Sequence, residues 1–184
     1  MLNPSTRKAF VSILLCLFPL AGIAKEENIG VAALKGYAVF KMGKYQEAFD
    51  IWQPLAVKGN TTAMNNIANL YANGLGFDRD LSLAAQWLQK SAEMGDSIGQ
   101  LQLGMAYEQG QGVPKDNQKA AFWFEKSAQQ GDRDAQFNLG VMLATNFGLN
   151  DSPSSEQLEK AKYWLKLANE QNHPEARVFL KLIQ

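Results

Sequence analysis

Few side chains in this sequence of 184 residues have types suited to catalysis or metal binding, since it contains one cysteine, Cys16, and one histidine, His173. A serine or threonine nucleophile needs a neighbouring base, and a transition-metal site needs several imidazole or thiolate ligands. His173 precedes Pro174 at the expected start of a helix, where a capping or exposed role is the better interpretation. The sequence therefore predicts no catalytic residues, no metal site and no cofactor, and so a protein that is not an enzyme.

Two short glycine loops could suggest phosphate binding. Gly74-Leu75-Gly76 and Gly110-Gln111-Gly112 follow helical patterns, however, and they recur at the same place in a repeat. Phosphate-binding glycine loops follow strands, so turn formation explains these glycines better. The acidic residues are scattered singly, without the Asp-x-Asp cluster that would indicate calcium binding.

The first 24 residues have the pattern of a secretory signal peptide. Arg7 and Lys8 precede an uncharged, mainly apolar run over residues 9–21, and the small residues Gly22 and Ala24 follow. The run is shorter than the ~20 residues that span a bilayer as a helix. We predict cleavage after Ala24, a periplasmic or secreted location, and no membrane segment in the mature chain. An uncleaved N-terminal anchor is the alternative.

The charge balance bears on the class of partner. The full sequence has 18 basic and 18 acidic residues, and removal of Arg7 and Lys8 with the signal peptide leaves 16 basic against 18 acidic. Nucleic-acid-binding proteins usually carry a basic excess, so we predict a protein partner and no nucleic acid. Cys16 also leaves with the signal peptide. The mature chain then has no disulfide, and packing alone must stabilise it.

The elements of the mature chain are arranged by a repeat of 36 residues. Twelve positions from Ala63 to Asp96 recur 36 residues later, and most of these pairs are identical. A third copy starts at Ala135 and contains five additional residues near positions 150–155. Apolar and small residues at intervals of three and four predict two helices, A and B, in each copy.

Several residue types support this division into helices. Aspartates are predicted to cap the starts of helices, and glycines to lie where helices end. A small residue recurs in each helix A, at Ala68, Gly104 and Gly140, and we interpret it as the place where helix B approaches closely. Trp87 and Trp123 are interpreted as core side chains between successive helices. The predicted caps are Asp80, Asp96, Asp116 and Asp132, and the glycines are Gly74, Gly95, Gly110 and Gly131.

The copy from Gly99 to Asp132 resembles the Sel-1-like repeat, a longer-looped relative of the tetratricopeptide repeat. The resemblance rests on Leu103-Gly104, Tyr107, Gly110, Gly112-Val113, Asp116, Lys119-Ala120, Trp123, Ala128 and Gly131. It implies an all-α fold, a right-handed α-solenoid of antiparallel helix pairs that serves as a scaffold for protein complexes. The predicted divisions are a signal peptide (1–24) and one solenoid domain (25–184), with a tetratricopeptide-like pair (36–60), three repeats (61–96, 97–132 and 133–173) and a C-terminal capping helix (174–184).

The resemblance also implies that the A helices line the concave face. On this basis the candidate partner-binding residues are Asn65, Asn69, Leu101, Met105, Glu108, Phe137 and Val141. The four apolar side chains in this set either form an exposed groove for a helix or extended peptide, or pack between neighbouring A helices. Both interpretations remain open.

The predicted function is that of an exported, periplasmic scaffold or adaptor that holds a partner protein in the concave groove. One alternative is a periplasmic immunity protein that neutralises a type VI secretion toxin such as a phospholipase. A remote alternative is a β-lactamase-like hydrolase, because some cysteine-rich secreted members of the family have been linked to β-lactam hydrolysis. This chain lacks their disulfides.

Overall fold

The computed structural model describes residues 20–146 and 152–183. These residues form α-helices and no strand, and each helix packs antiparallel against the next along the chain. The fold is therefore the all-α, right-handed solenoid that the sequence predicts. The helices are α1 (Leu20–Lys41), α2 (Tyr45–Val57), α3 (Thr61–Asn73), α4 (Leu81–Glu93), α5 (Ser97–Gln109), α6 (Asn117–Gln129), α7 (Arg133–Ala144), α8 (Ser155–Glu170) and α9 (Ala176–Leu182).

The helix boundaries follow from local capping. All four predicted aspartates accept a hydrogen bond from the backbone N–H three residues ahead, at N···O distances of 2.8–2.9 Å. The predicted glycines have positive φ, from 65° at Gly74 to 91° at Gly131, where a left-handed residue ends the helix. Both predictions are confirmed.

The second glycine of each loop is needed because a neighbouring helix lies close to it. Gly76 has φ 78°, and a Cβ at this position would lie 2.8 Å from Cβ of Tyr45, the first residue of α2. A Cβ on Gly112 would overlap the backbone of Leu81, the first residue of α4. Each loop thus crosses the start of the preceding helix B, and only glycine fits there.

Small residues in the A helices let the two helices of a repeat pack closely, as predicted. A Cβ on Gly104 would lie 2.6 Å from Cδ1 of Phe124, and one on Gly140 would lie 2.7 Å from Cγ of Leu165. Phe124 and Leu165 are fully buried. The cost of glycine in a helix, up to ~1 kcal/mol, is offset by this packing.

The tryptophans differ in burial. Trp52 of α2 is 1% exposed and donates from Nε1 to the carbonyl of Ala33. Trp87 and Trp123 are half-buried at the edges of the apolar clusters, and Trp87 contacts the clusters of two successive units. They do lie between successive helices, but Leu88 and Phe124, one position later, fill the interior.

The third repeat shows how the insertion is accommodated. Helix α8 has 16 residues where α6 has 13, so three of the five additional residues (16 − 13 = 3) lengthen this helix at its start. Asn146 has φ 47° and Asn172 has φ 59°, so asparagines adopt the left-handed conformation that glycines have in the other repeats. Residues 147–151 lie outside the described part.

The last helix is shorter than predicted and closes the third repeat. It begins at Ala176, because Pro174 lies in the preceding turn. The Phe179 ring packs edge-on against Phe137 at 5.3 Å, and His173 stacks on Phe137 at 4.0 Å. The His173 side chain is only 11% exposed, and its Nδ1 accepts from the backbone N–H of Glu175, just before α9, at 3.3 Å. Of the two predicted roles, the structure favours capping over exposure. Burial lowers the pKa of His173, against the opposing effect of Asp134.

Most of the predicted signal peptide lies outside the described residues. Helix α1 begins at Leu20 and continues past the predicted cleavage position after Ala24. Cleavage stays a prediction. Within residues 20–146 and 152–183, no helix has the length and apolarity needed to cross a membrane.

Candidate functional site

The first helices of the units share one side of the solenoid, where α1, α3 and α5 form a cleft. Its volume is about 300 Å³, and the buried Trp52 of α2 lies at its base. Asn69 and Gln102 face it from α3 and α5. The other lining residues are Tyr37, Phe40, Thr62, Asn65, Asn66 and Ile98.

A second cleft of about 180 Å³ continues from the first between α3 and α5. Asn69 and Gln102 line both clefts, and α4 forms the floor of the second. We call the two clefts together the A-helix groove. The second cleft adds Ala68, Ala72, Leu81, Ala84, Ala85, Leu88, Met105, Ala106, Gln109 and Gln111.

No charged side chain lines the A-helix groove, although charged residues make up 20% of the sequence. Its polar lining is mainly carboxamide. Asn69 and Gln109 are exposed, and Asn66 and Gln102 are half-buried. The groove thus offers hydrogen-bond donors and acceptors on uncharged side chains.

Apolar side chains stand beside these amides. Ile98 is 54% exposed, Met105 is 39% exposed, and Tyr37 of α1 is also exposed. These side chains form the exposed apolar part of the groove lining.

A hydrogen-bond network fixes one wall of the groove. Asp96 caps α5 and also accepts from Thr61 Oγ1 at 2.9 Å and from Asn65 Nδ2 at 2.8 Å. Burial raises the pKa of Asp96, but hydrogen bonds from Gly99 N–H, Asn65 and Thr61 more than offset this, so the pKa is lowered overall. The carboxylate therefore stays ionised at neutral pH and ties α3 to α5.

The candidate residues from the sequence occupy different environments. Asn69 and Met105 line the A-helix groove, and Asn65 lies in its wall with 9% exposure. Leu101 packs against the apolar cluster that the second and third repeats share, and Phe137 contacts His173 and Phe179. Glu108 and Val141 are half-buried and do not line either cleft. Their role in binding a partner stays a prediction.

The predicted face overlaps the groove at Asn65, Asn69 and Met105. It includes Leu101 and Glu108, which line neither cleft, and it lacks several residues of α5 that do. The groove face of α5 runs through Ile98, Gln102, Met105 and Gln109, at intervals of three and four. The equivalent positions in α3 include Asn66 and Asn69. The concentration of asparagines in α3 is the available signal, together with the glutamines Gln102 and Gln109 that stand 36 residues after Asn66 and Asn73.

Potential metal ligands are dispersed. Among the residues that the structure describes, no three histidine, cysteine, aspartate or glutamate side chains come together in a group that could hold a metal ion.

The stacked helix pairs and their groove define a helical-repeat protein of the solenoid class. A sequence profile of the Sel1 repeat matches residues 61–96, 97–132 and 133–173, which are the three repeats predicted from the sequence. The chain belongs to the Sel1 repeat family. Sel1 repeats are protein-interaction modules.

Solved structures of other Sel1 repeat proteins are similar to this one. A Sel1 repeat protein from Oxalobacter formigenes has a TM-score of 0.73 and 30% identity, over 82% of this chain and 60% of that chain. The protective antigen c5321, present in uropathogenic Escherichia coli strains, has a TM-score of 0.73 and 31% identity, over 85% of this chain and 33% of that chain.

A similarity to a curated protein is more local. HRD3 of Candida glabrata, a component of an ERAD-associated E3 ubiquitin-protein ligase, is 32% identical over 69 residues. These residues are 38% of this chain and 8% of HRD3. The chain therefore spans a small part of that relative.

Proposed function

We propose that this protein is an exported, periplasmic scaffold that binds a segment of a partner protein in the A-helix groove. The observation that carries the proposal is the groove itself, a concave surface across α1, α3 and α5 with exposed apolar side chains and an uncharged lining. Recognition then depends on shape, apolar contact and hydrogen bonds, and it requires no chemical step.

The comparisons support the scaffold role in general terms. The family consists of protein-interaction repeats, and HRD3 is by its description a component of a larger complex. The export part of the proposal rests on the pattern of residues 1–24, with its basic start, apolar run and small residues before the cleavage position. Immunity to a secreted toxin stays an alternative from the sequence alone.

Two substitutions of exposed methionines test the groove. Met105→Asp places a carboxylate inside the groove, whereas Met94→Asp places one on an exposed methionine at the end of α4, outside the groove. Leu101 and Phe137 are unsuitable for this test because both take part in internal packing.

The measurement is affinity purification of tagged protein from cells crosslinked in the native envelope, followed by mass spectrometry. We expect Met105→Asp to lose a partner that wild type and Met94→Asp both retain, while all three proteins melt cooperatively. Identical partner sets for the two variants would refute the groove as the binding surface.

Export has its own measurement. The protein released by osmotic shock should begin at Lys25, as determined by N-terminal sequencing. Retention in the cytoplasm with residues 1–24 intact would refute export.

A further inference from the structure

We infer that two copies of this chain pair through the outer face of α1, with the two helices antiparallel about a two-fold axis. The face is formed by five positions that we call the α1 stripe, namely Glu27, Val31, Leu34, Ala38 and Lys41. The last four of these residues line neither cleft of the A-helix groove. The stripe is therefore a second interaction surface, separate from that of the proposed function.

The α1 stripe runs along one side of its helix. Its positions follow one another at intervals of four and three residues, the spacing that keeps residues on one face of an α-helix and that two paired helices require. Gly36 and Val39 lie on the other side and are buried, and a Cβ on Gly36 would overlap the indole of Trp52 in α2. The stripe thus lies on the side of α1 away from α2.

The middle of the α1 stripe is apolar and exposed. Val31 is 65% exposed, Leu34 is 70% exposed, and the small Ala38 beside them is also exposed. Within the described part of the chain, α1 packs mainly against α2, whereas α9 covers the last repeat at the other end of the solenoid. Burial of Val31 and Leu34 against a second surface would be favourable, and terminal solenoid units commonly need such cover.

The charges at the two ends of the α1 stripe indicate which surface covers it. Glu27 and Lys41 lie seven residues before and seven residues after Leu34. Lys41 forms no ion pair among the described residues, and its ammonium group lies 5.3 Å from the centre of the Tyr37 ring. In an antiparallel pair centred on Leu34, position 27 of each copy lies opposite Lys41 of the other. One chain therefore carries both halves of a complementary pattern, as a two-fold contact between identical chains requires.

Other arrangements of two copies bring like charges together. A parallel pair would put Glu27 beside Glu27 and Lys41 beside Lys41, and it would also align the two helix dipoles. A head-to-tail contact of α1 with α9 would bring the exposed Arg177 and Lys181 of α9 towards Lys41. The antiparallel, two-fold pair is the arrangement that avoids both conflicts.

The contact is small, since each helix contributes three apolar residues and two charged ones. Interfaces of this size are at the lower end of those that are specific, and exposed ion pairs add little, so we expect a reversible, concentration-dependent dimer. Such a dimer contains two A-helix grooves. A partner with two binding segments would then be held more tightly than by one copy of the chain.

The test is a charge swap, followed by sedimentation equilibrium from about 1 to 300 µM, which covers the affinities of small interfaces. The variants are Lys41→Glu, Glu27→Lys and the double variant with both substitutions. Lys166→Glu, at an exposed position on α8, is the matched control. Each protein is purified in the form to which cells process the wild type, verified by intact mass.

We expect wild type and Lys166→Glu to approach twice the monomer mass as concentration rises. Each single reversal should weaken the dimer about tenfold or more, because it brings like charges together at two symmetric places. The double variant restores opposite charges at both places, so it should dimerise within about threefold of wild type.

Leu34→Asp provides a separate test of the apolar centre. Two carboxylates would meet at the two-fold axis, so this variant should stay monomeric while its circular dichroism spectrum remains that of wild type.

The inference would be overturned by a wild type that stays monomeric over the whole range, by a dimer that Leu34→Asp or the single reversals leave unchanged, or by a double variant as weak as the single ones. A monomer that cosediments with vesicles of phosphatidylethanolamine and phosphatidylglycerol would also overturn it, because the α1 stripe would then bind a lipid surface instead.

Discussion

At the residue scale, Asp96 joins two repeats as well as capping a helix. Oδ1 accepts from Asn65 and from the backbone of Gly99, and Oδ2 accepts from Thr61. Asp132 occupies the same position one repeat later and caps α7 through Ala135. Asp96 and Asp132 therefore cap their helices in the same way, but Asp96 also accepts hydrogen bonds from the preceding helix A, α3.

We predict that Asp96→Asn lowers the free energy of unfolding by about 1–3 kcal/mol at neutral pH. Asparagine caps helices well, but its NH₂ group cannot accept one of the hydrogen bonds that the carboxylate accepts. Asp132→Asn should change stability much less. Urea unfolding of both variants is the measurement, and equal losses would contradict a bridging role for Asp96.

We also predict that the effect of Asp96→Asn on stability depends on pH. The folded-state pKa of Asp96 is lowered, so its stabilising contribution is complete above the unfolded-state value of about 3.9 and is lost as pH falls through the folded-state pKa. The stability difference between wild type and Asp96→Asn should therefore shrink between neutral pH and pH about 3. A constant difference would show that ionisation of Asp96 is not involved.

Gly104 provides a prediction about packing. Gly104→Ala improves helix propensity, but its methyl group would overlap Phe124, so we expect a net loss of about 1–3 kcal/mol. The first repeat has Ala68 and Leu88 at the equivalent positions, in one apolar cluster. Adding Phe124→Leu should therefore restore part of the loss in urea unfolding. A stabilising Gly104→Ala would contradict close packing at this position.

At the element scale, glutamines connect successive repeats. Gln130, which follows α6, donates to the carbonyl of Gly95 at 2.9 Å and to Gln100 Oε1 at 2.7 Å. Gln171 makes the same two bonds to Gly131 and Gln136 one repeat later, at 3.0 and 2.9 Å. Each glutamine thus joins the end of a helix B to helix A of the same repeat and to the turn at the end of the preceding repeat.

We predict that Gln130→Ala lowers the free energy of unfolding by about 1–2 kcal/mol, because it leaves the buried Gln100 amide oxygen without this donor. Gln129→Ala is the control, since Gln129 is the exposed neighbour in the last turn of α6. Chemical denaturation measures both. An equal effect of the two substitutions would indicate that the connection contributes no stability.

The elements were largely predictable, because their signals are local. Aspartate caps, positive-φ glycines and the 36-residue period determine where α4 to α6 begin and end. The glutamine contacts were not predictable, since they join residues 30–40 positions apart and depend on the stacking geometry. The extension of α8, by contrast, has a local signal in the sequence. Ser154 and Gln157 form a capping box that starts the helix within the insertion.

At the scale of the whole molecule, α9 covers the open face of the last repeat. Ala176 is fully buried, and Phe179 packs against Phe137 of α7. Terminal units of a solenoid protect an apolar face that would otherwise contact water. Deletion of residues 174–184 should therefore lower solubility and the melting temperature.

A milder change tests the same cap. Phe179→Ala should lower the melting temperature by about 4–10 °C, given 2–4 °C per kcal/mol for a chain of this size. Val178→Ala is the control, because Val178 is exposed. Equal melting temperatures in a calorimetric scan would contradict the capping role of α9.

The groove was only partly predictable from the sequence. The A helices and the residues Asn69 and Met105 were identified, because the family implies a concave face and spacing gives an approximate register. Gln102 and Ile98 are absent from the prediction, because the register inferred from the family has Leu101 and Glu108 on the concave face of α5 instead. The sequence leaves open whether Phe137 packs internally, because its packing depends on the position of α9.

The central claim is that the A-helix groove holds a partner protein. The most direct measurement is site-specific photo-crosslinking in living cells, with the photoreactive residue at Asn69 in the groove or at Gln86 on α4 outside it. We predict a discrete adduct with one protein from position 69, which is absent from position 86 and is lost with Met105→Asp. The same adduct from both positions, or an adduct from position 86 alone, would contradict the claim.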